Sequence, residues 1–141
     1  MNITSFYPVL MTPNVAGLRD FYCENFHFSI AFEADWYVSL KKVQEGHVIE
    51  LALLETGHPT IAPGYSTKAR GVILNFEVES AREEYERLVH RCGIKELMPL
   101  RDEDFGQRHF MILDPAENII DIIENIAPSA DFADQYTQDD R

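Results

Sequence analysis

The chain has 141 residues, room for one domain or two small packed modules, and 45% of them are hydrophobic, which excludes global disorder. Twelve basic side chains stand against 24 acidic ones, a net charge of −12, so bulk electrostatics exclude nucleic acid and anionic membrane surfaces as natural partners. The start, Met1-Asn2-Ile3-Thr4-Ser5, has no basic region and no long apolar run, and no membrane span is found, so a cytoplasmic protein is expected. Cys23 and Cys92 stand in no metal or redox spacing and read as reduced, buried thiols.

Residues 3–11 read as a first strand, with Pro8 putting it at an edge or a bulge because Pro lacks an N–H. Thr12-Pro13-Asn14 stops it and caps a helix whose apolar positions, Val15, Leu18, Phe21, Tyr22 and Phe26, keep helical spacing. Residues 29–34 and 36–41 are expected as strands joined at Asp35. Gln44-Glu45-Gly46 turns the chain into a further strand over 48–54. Residues 57–69, with Gly57, Pro59, Pro63 and Gly64, read as a linker or a loop over a pocket.

The order then repeats. A strand over 71–78 leads to the capping box Ser80-Ala81-Arg82-Glu83 and a helix to about Cys92, with Ala81, Tyr85, Leu88, Val89 and Cys92 on one face. Gly93 can take the left-handed conformation that ends it. Strands follow over 94–100, 107–113 and 119–126, the last two joined by the turn formers Asp114-Pro115 and Asn118. The repeat extends to residues. Val48-Ile49-Glu50-Leu51-Ala52 matches Ile119-Ile120-Asp121-Ile122-Ile123, with the acids 71 positions apart. Neither half is long enough to bury a sheet face alone, so the halves pack on each other or on a second chain. Residues 127–141, with four Asp and one Arg, read as a mobile acidic tail. The chain is thus one domain over 1–126, made of modules 1–56 and 70–126 with the linker between them.

Asp20-Phe21-Tyr22 with Phe26-His27-Phe28, Phe76-Glu77-Val78-Glu79 with Tyr85, Leu88 and Gly93, and above all residues 106–124 resemble the vicinal oxygen chelate family. That family includes glyoxalase I, bleomycin resistance proteins, fosfomycin resistance transferases and extradiol dioxygenases. The resemblance implies an α+β fold of two tandem βαβββ modules, forming a curved mixed sheet around a cleft and commonly built into a homodimer. The family's metal enzymes take ligands at positions that align here with Tyr7, Glu50, Ile73 and Asp121. Ile73 cannot coordinate, and Tyr7 ligates only as a phenolate, with an ordinary pKa of about 10. A bound metal is therefore not expected, and no cofactor is implied. Glu117 stands where the family has Gly in its turn. If that position needs φ > 0, Glu117 adds roughly 1 kcal/mol of strain.

Glu50 and Asp121 face either the cleft or solvent, since a strand alternates sides at each residue. His109, beside Arg108 and the acidic run Asp102-Glu103-Asp104, is a ligand-facing polar group or general base, or else a partly exposed strand residue. His58 and His90 read as surface residues. Trp36 or Tyr37 should form an aromatic wall favouring flat or apolar ligands, or pack in the core. Residues 100–108 read as a loop at the cleft mouth or a plain hairpin. No nucleophile elbow, phosphate-cradling glycine loop or dinucleotide fingerprint appears. The expectation is a small-molecule-binding protein, acting by sequestration, with Tyr7, Trp36, Tyr37, Glu50, His109 and Asp121 as ligand contacts. Its acidic cleft would suit a cationic or hydrogen-bond-donating ligand. The alternatives are a divergent metal-dependent lyase, transferase or dioxygenase using Glu50, Asp121 and His109 or His47, and a dimeric interaction module with no ligand.

Overall fold

A computed structural model describes residues 1–137 of the chain. They fall into two compact units divided after Gly71. Each is a βαβββ module whose four strands form one mixed sheet.

In unit 1, β1 (Val9–Thr12), α1 (Val15–Phe26), β2 (Ser29–Ala34), β3 (Tyr37–Gln44) and β4 (His47–Glu55) follow in order. The sheet order is β1-β4-β3-β2. β1 and β4 run parallel, and the other pairs are antiparallel hairpin neighbours. β1 is shorter than expected. Residues before Val9 are exposed, although the Pro8 carbonyl still accepts from Ala52 N at 3.0 Å. Pro8 has no N–H to return, so regular pairing begins beyond it. Asn14 caps α1 by accepting from Gly17 N at 2.9 Å. Leu18, Tyr22 and Phe26 then bury one helical stripe. α1 packs on β3 and β4, where Val38, Leu40, Leu51 and Leu53 are buried. By strand alternation the other face carries Tyr37, Ser39, Lys41, Glu50 and Leu54.

Unit 2 repeats this with β5 (Ile73–Glu77), α2 (Ala81–Tyr85), β6 (Glu96–Glu103), β7 (Gln107–Leu113) and β8 (Ile119–Asn125), in the sheet order β5-β8-β7-β6. Ser80 caps α2 by accepting from Glu83 N at 3.3 Å, and Glu124 of β8 accepts from Ala81 N at 3.0 Å. Tyr85 meets Phe110 edge-on at 5.1 Å, and Phe110, Ile112, Ile120 and Ile122 are fully buried on this side. The helix does not run on regularly to Cys92. Glu86–Arg91 is a π-helical segment, and Cys92 N donates to Arg87 O at 2.9 Å, five residues back. The wider turn rotates Cys92 off the packed stripe and leaves it exposed, which corrects the expectation of a buried thiol. Cys23 is half-buried, and burial above all pushes its thiol above the ordinary range.

Residues 100–108 form a plain hairpin, with β6 and β7 joined over Asp104–Gly106. The described part of the tail does not hang free. Ser129 N donates to Asp104 O at 2.8 Å, the Tyr136 hydroxyl donates to Phe105 O, and the Phe132 and Phe105 rings meet edge-on. Gly106 makes room for this segment, since a Cβ there would lie 2.9 Å from the Ile126 carbonyl oxygen. Residues 127–137 thus make contacts with the β6–β7 hairpin. Residues 138–141 lie outside the described residues. Among the described residues no helix is long and apolar enough to cross a membrane.

Candidate functional site

The two acids of the repeat occupy equivalent places. β4 and β8 are central strands, each flanked by a parallel first strand and an antiparallel third strand. Both acids lie on the sheet face opposite the unit's own helix, yet their surroundings differ.

In unit 2, Asp121 is buried, and so is His109 on the neighbouring β7. His109 Nδ1 lies 2.8 Å from Asp121 Oδ1 and 3.1 Å from Oδ2. The other ring nitrogen, Nε2, lies 3.1 Å from Glu103 Oε1 on β6. The same Oε1 accepts from Arg101 Nε at 2.5 Å. Carboxylates only accept, so this row is fully hydrogen-bonded when both ring nitrogens carry a hydrogen. Hydrogen bonds from His109 first and Arg101 second hold the Glu103 carboxyl below its ordinary range. His109 is therefore not a partly exposed strand residue: it is buried, and both ring nitrogens face carboxylates. Asp121 is likewise an internally paired acid rather than a bare negative charge. Across β5, the residue opposite Asp121 is Asn75, and Ile73 is opposite Ile119.

In unit 1, Glu50 is half-buried and accepts from the Ser5 hydroxyl at 2.5 Å. Its cross-strand partner on β3 is Lys41. An aromatic group gathers on the same unit. Tyr37 is hydrogen-bonded to Tyr7, and burial followed by Tyr7 holds its phenol above the ordinary range. The Tyr37 ring centroid lies 6.1 Å from Phe32 and 5.8 Å from Trp36. Trp36 is in the turn between β2 and β3 rather than in a strand, and His58 stacks on it at 3.9 Å with the planes 6° apart. Tyr7 is 43% exposed and Phe32 53%, so this cluster is an accessible surface and not a sealed core. Sequence reasoning named Tyr7, Trp36 and Tyr37 but missed Phe32 and read His58 as plain surface. The aromatic Phe32, two residues from the strand's end, was the available signal.

A divalent metal requires three or four N, O or S donors. Ile73 offers none, and both His109 nitrogens face carboxylates. Among the described residues no three His, Cys, Asp or Glu side chains gather as a metal group requires. The residues within the units do not fit a metal.

A duplicated βαβββ unit with its acids at matched central-strand positions defines the class of protein. Residues 5–122 match the model of the Glyoxalase/Bleomycin resistance protein/Dioxygenase superfamily, and the chain belongs to that superfamily. Solved structures of similar fold include a lactoylglutathione lyase from Agrobacterium tumefaciens, at 16% identity and TM-score 0.67 over 88% of this chain and 96% of that one. A glyoxalase/bleomycin resistance protein/dioxygenase from Nocardioides is 20% identical, with TM-score 0.67 over 89% of this chain and 85% of that one. The bleomycin-binding protein of Streptomyces verticillus, solved with copper(II)-bleomycin, is 17% identical, with TM-score 0.62 over 89% and 98%. At these identities the likeness is one of fold. No curated protein matches the sequence.

Proposed function

We propose that the protein binds a small molecule without a bound metal and acts by sequestering it, as a homodimer of the kind the family resemblance implies. The observation that carries this reading is the accessible aromatic group Tyr7, Phe32, Trp36 and Tyr37 on unit 1. Exposed rings that already meet one another offer a flat ligand a stacking surface at little conformational cost. Glu50, half-buried and accepting from a single hydroxyl, supplies the polar anchor for a cationic or hydrogen-bond-donating group. His109 and Asp121, buried and hydrogen-bonded to each other, are not part of this contact set. The bleomycin-binding neighbour supports the reading in that its fold accommodates a ligand of this general kind.

Trp36 is the single tryptophan of the chain, so its fluorescence reports directly on the aromatic group. Titration with bleomycin and with a panel of planar aromatic cations is expected to give saturable quenching for at least one compound. Tyr37→Ala should weaken it about tenfold. No saturable response across the panel, or a stoichiometric transition metal in protein purified without chelators, would overturn the reading.

A further inference from the structure

Unit 2 carries a groove of about 510 Å³ between α2 and β6, on ground that the ligand reading above does not use. Three guanidinium groups line it, Arg82, Arg101 and Arg108, against two carboxylates, Glu86 and Asp102. Only the lining groups are weighted this way, in a unit that holds seven basic and seventeen acidic side chains. Nearly half of the unit's cations therefore stand around one cavity.

The guanidinium groups differ in how many donors they have left. Arg108 gives Nε and Nη2 to the two Asp102 oxygens at 2.7 and 3.0 Å, and its Nη1 faces Glu124 at 3.6 Å. That fork offsets the charge of Asp102 and occupies one acceptor site on each of its oxygens. Arg101 uses only Nε, on Glu103, which leaves two terminal amino groups. Arg82 is exposed, acts on Asp102 through its charge, and makes no salt bridge within 4.0 Å among the described residues, so its fork is open. Its planar fork matches a carboxylate or phosphate face. Tyr85, Pro99 and Leu100 complete the lining with ring and aliphatic surface. Charges farther than about 8 Å away are screened at physiological salt, so the donors left open at the groove, Arg82 and the terminal amino groups of Arg101, count for more there than the net charge of the molecule.

We infer that this groove is an anion-binding site that takes a small oxyanion, a carboxylate or a phosphate monoester, bearing an aromatic or apolar group. Arg82 and the free amino groups of Arg101 hold the oxyanion, and Tyr85 and Leu100 cover its substituent. The proposal does not rest on the aromatic group of unit 1, and its ligand has the opposite charge.

Calorimetric titration of the full chain with phenyl phosphate, benzoate and neutral phenol tests it. At least one of the two anions should saturate with a Kd of about 1 mM or tighter, and phenol should not bind. Whichever anion binds more tightly identifies the oxyanion. Arg82→Ala, at an exposed position, should keep the wild-type melting temperature and weaken binding at least about tenfold, as should about 0.5 M sodium chloride. The side-chain Nε resonances of Arg82 and Arg101 should shift along the same titration in the unaltered protein, which locates the ligand without any variant. Failure of both anions to saturate, phenol binding as tightly as the anions, or saturation that leaves those resonances unmoved would each overturn the proposal.

Discussion

At the scale of single residues, the turn between β7 and β8 shows how local chemistry sets geometry. Asp114 is buried and accepts from Ala116 N at 2.8 Å, Asn118 N at 2.9 Å and Asn118 Nδ2 at 2.8 Å, so the turn is closed by one carboxylate. Glu117 sits inside it at φ 64, the left-handed conformation that the sequence made conditional on the turn type. Glu117→Gly should therefore raise unfolding stability by up to about 1 kcal/mol in urea titrations, less the extra freedom glycine gives the unfolded chain. Unchanged or lower stability would mean that the Glu117 side chain contributes more than its backbone costs. Asp121 was legible as anomalous, an acid in a β-branched run. Its partner was not, because the pairing of His109 with Asp121 depends on strand register, and register is fixed only once β7 and β8 are aligned.

At the scale of elements, residues 29–34 and 107–113 were legible to the residue, since turn formers bound each of these short runs. β1 and the end of the second helix were not. Pro8 shortened one, and a π-helical segment, which has no sequence periodicity of its own, interrupted the other. The β6–β7 hairpin is tied by charge at two points. Arg108 holds the Asp102 carboxyl below its ordinary range, and His109 with Arg101 does the same for Glu103. A carboxyl lowered in the folded state contributes stability that is present above its unfolded pKa and lost as pH falls through its folded pKa. Urea midpoints should therefore fall between about pH 5 and about pH 3, and the Asp102→Asn, Glu103→Gln double variant should flatten that part of the profile. A profile of unchanged slope in the variant would assign the acid sensitivity to other groups.

At the scale of the whole molecule, charge is divided unequally. Unit 1 has five basic and seven acidic side chains, and unit 2 has seven and seventeen. Repulsion among the surplus carboxylates opposes the compact state. Raising sodium chloride from about 0.02 M to about 0.5 M should accordingly raise the melting temperature by a few degrees, because screening relieves more repulsions than it weakens ion pairs. A falling melting temperature would show that the paired charges outweigh the unpaired ones. The repeat itself was legible from matched acids 71 positions apart, and so was the fold it implies, whereas the separate surroundings of those acids were not.

That divergence has a consequence for how such a molecule can change. A duplicated module holds two copies of every position, and each copy is free to drift while the other keeps its former part. Here Asp121 is buried and hydrogen-bonded to His109, and Glu50 is a half-buried carboxylate that accepts from Ser5 and faces Lys41 across the strands. Substitutions around Glu50 therefore meet different neighbours from those around Asp121, so the same change at the two copies has different local consequences. Redundancy within one chain thus lets one repeated position carry two different local chemistries.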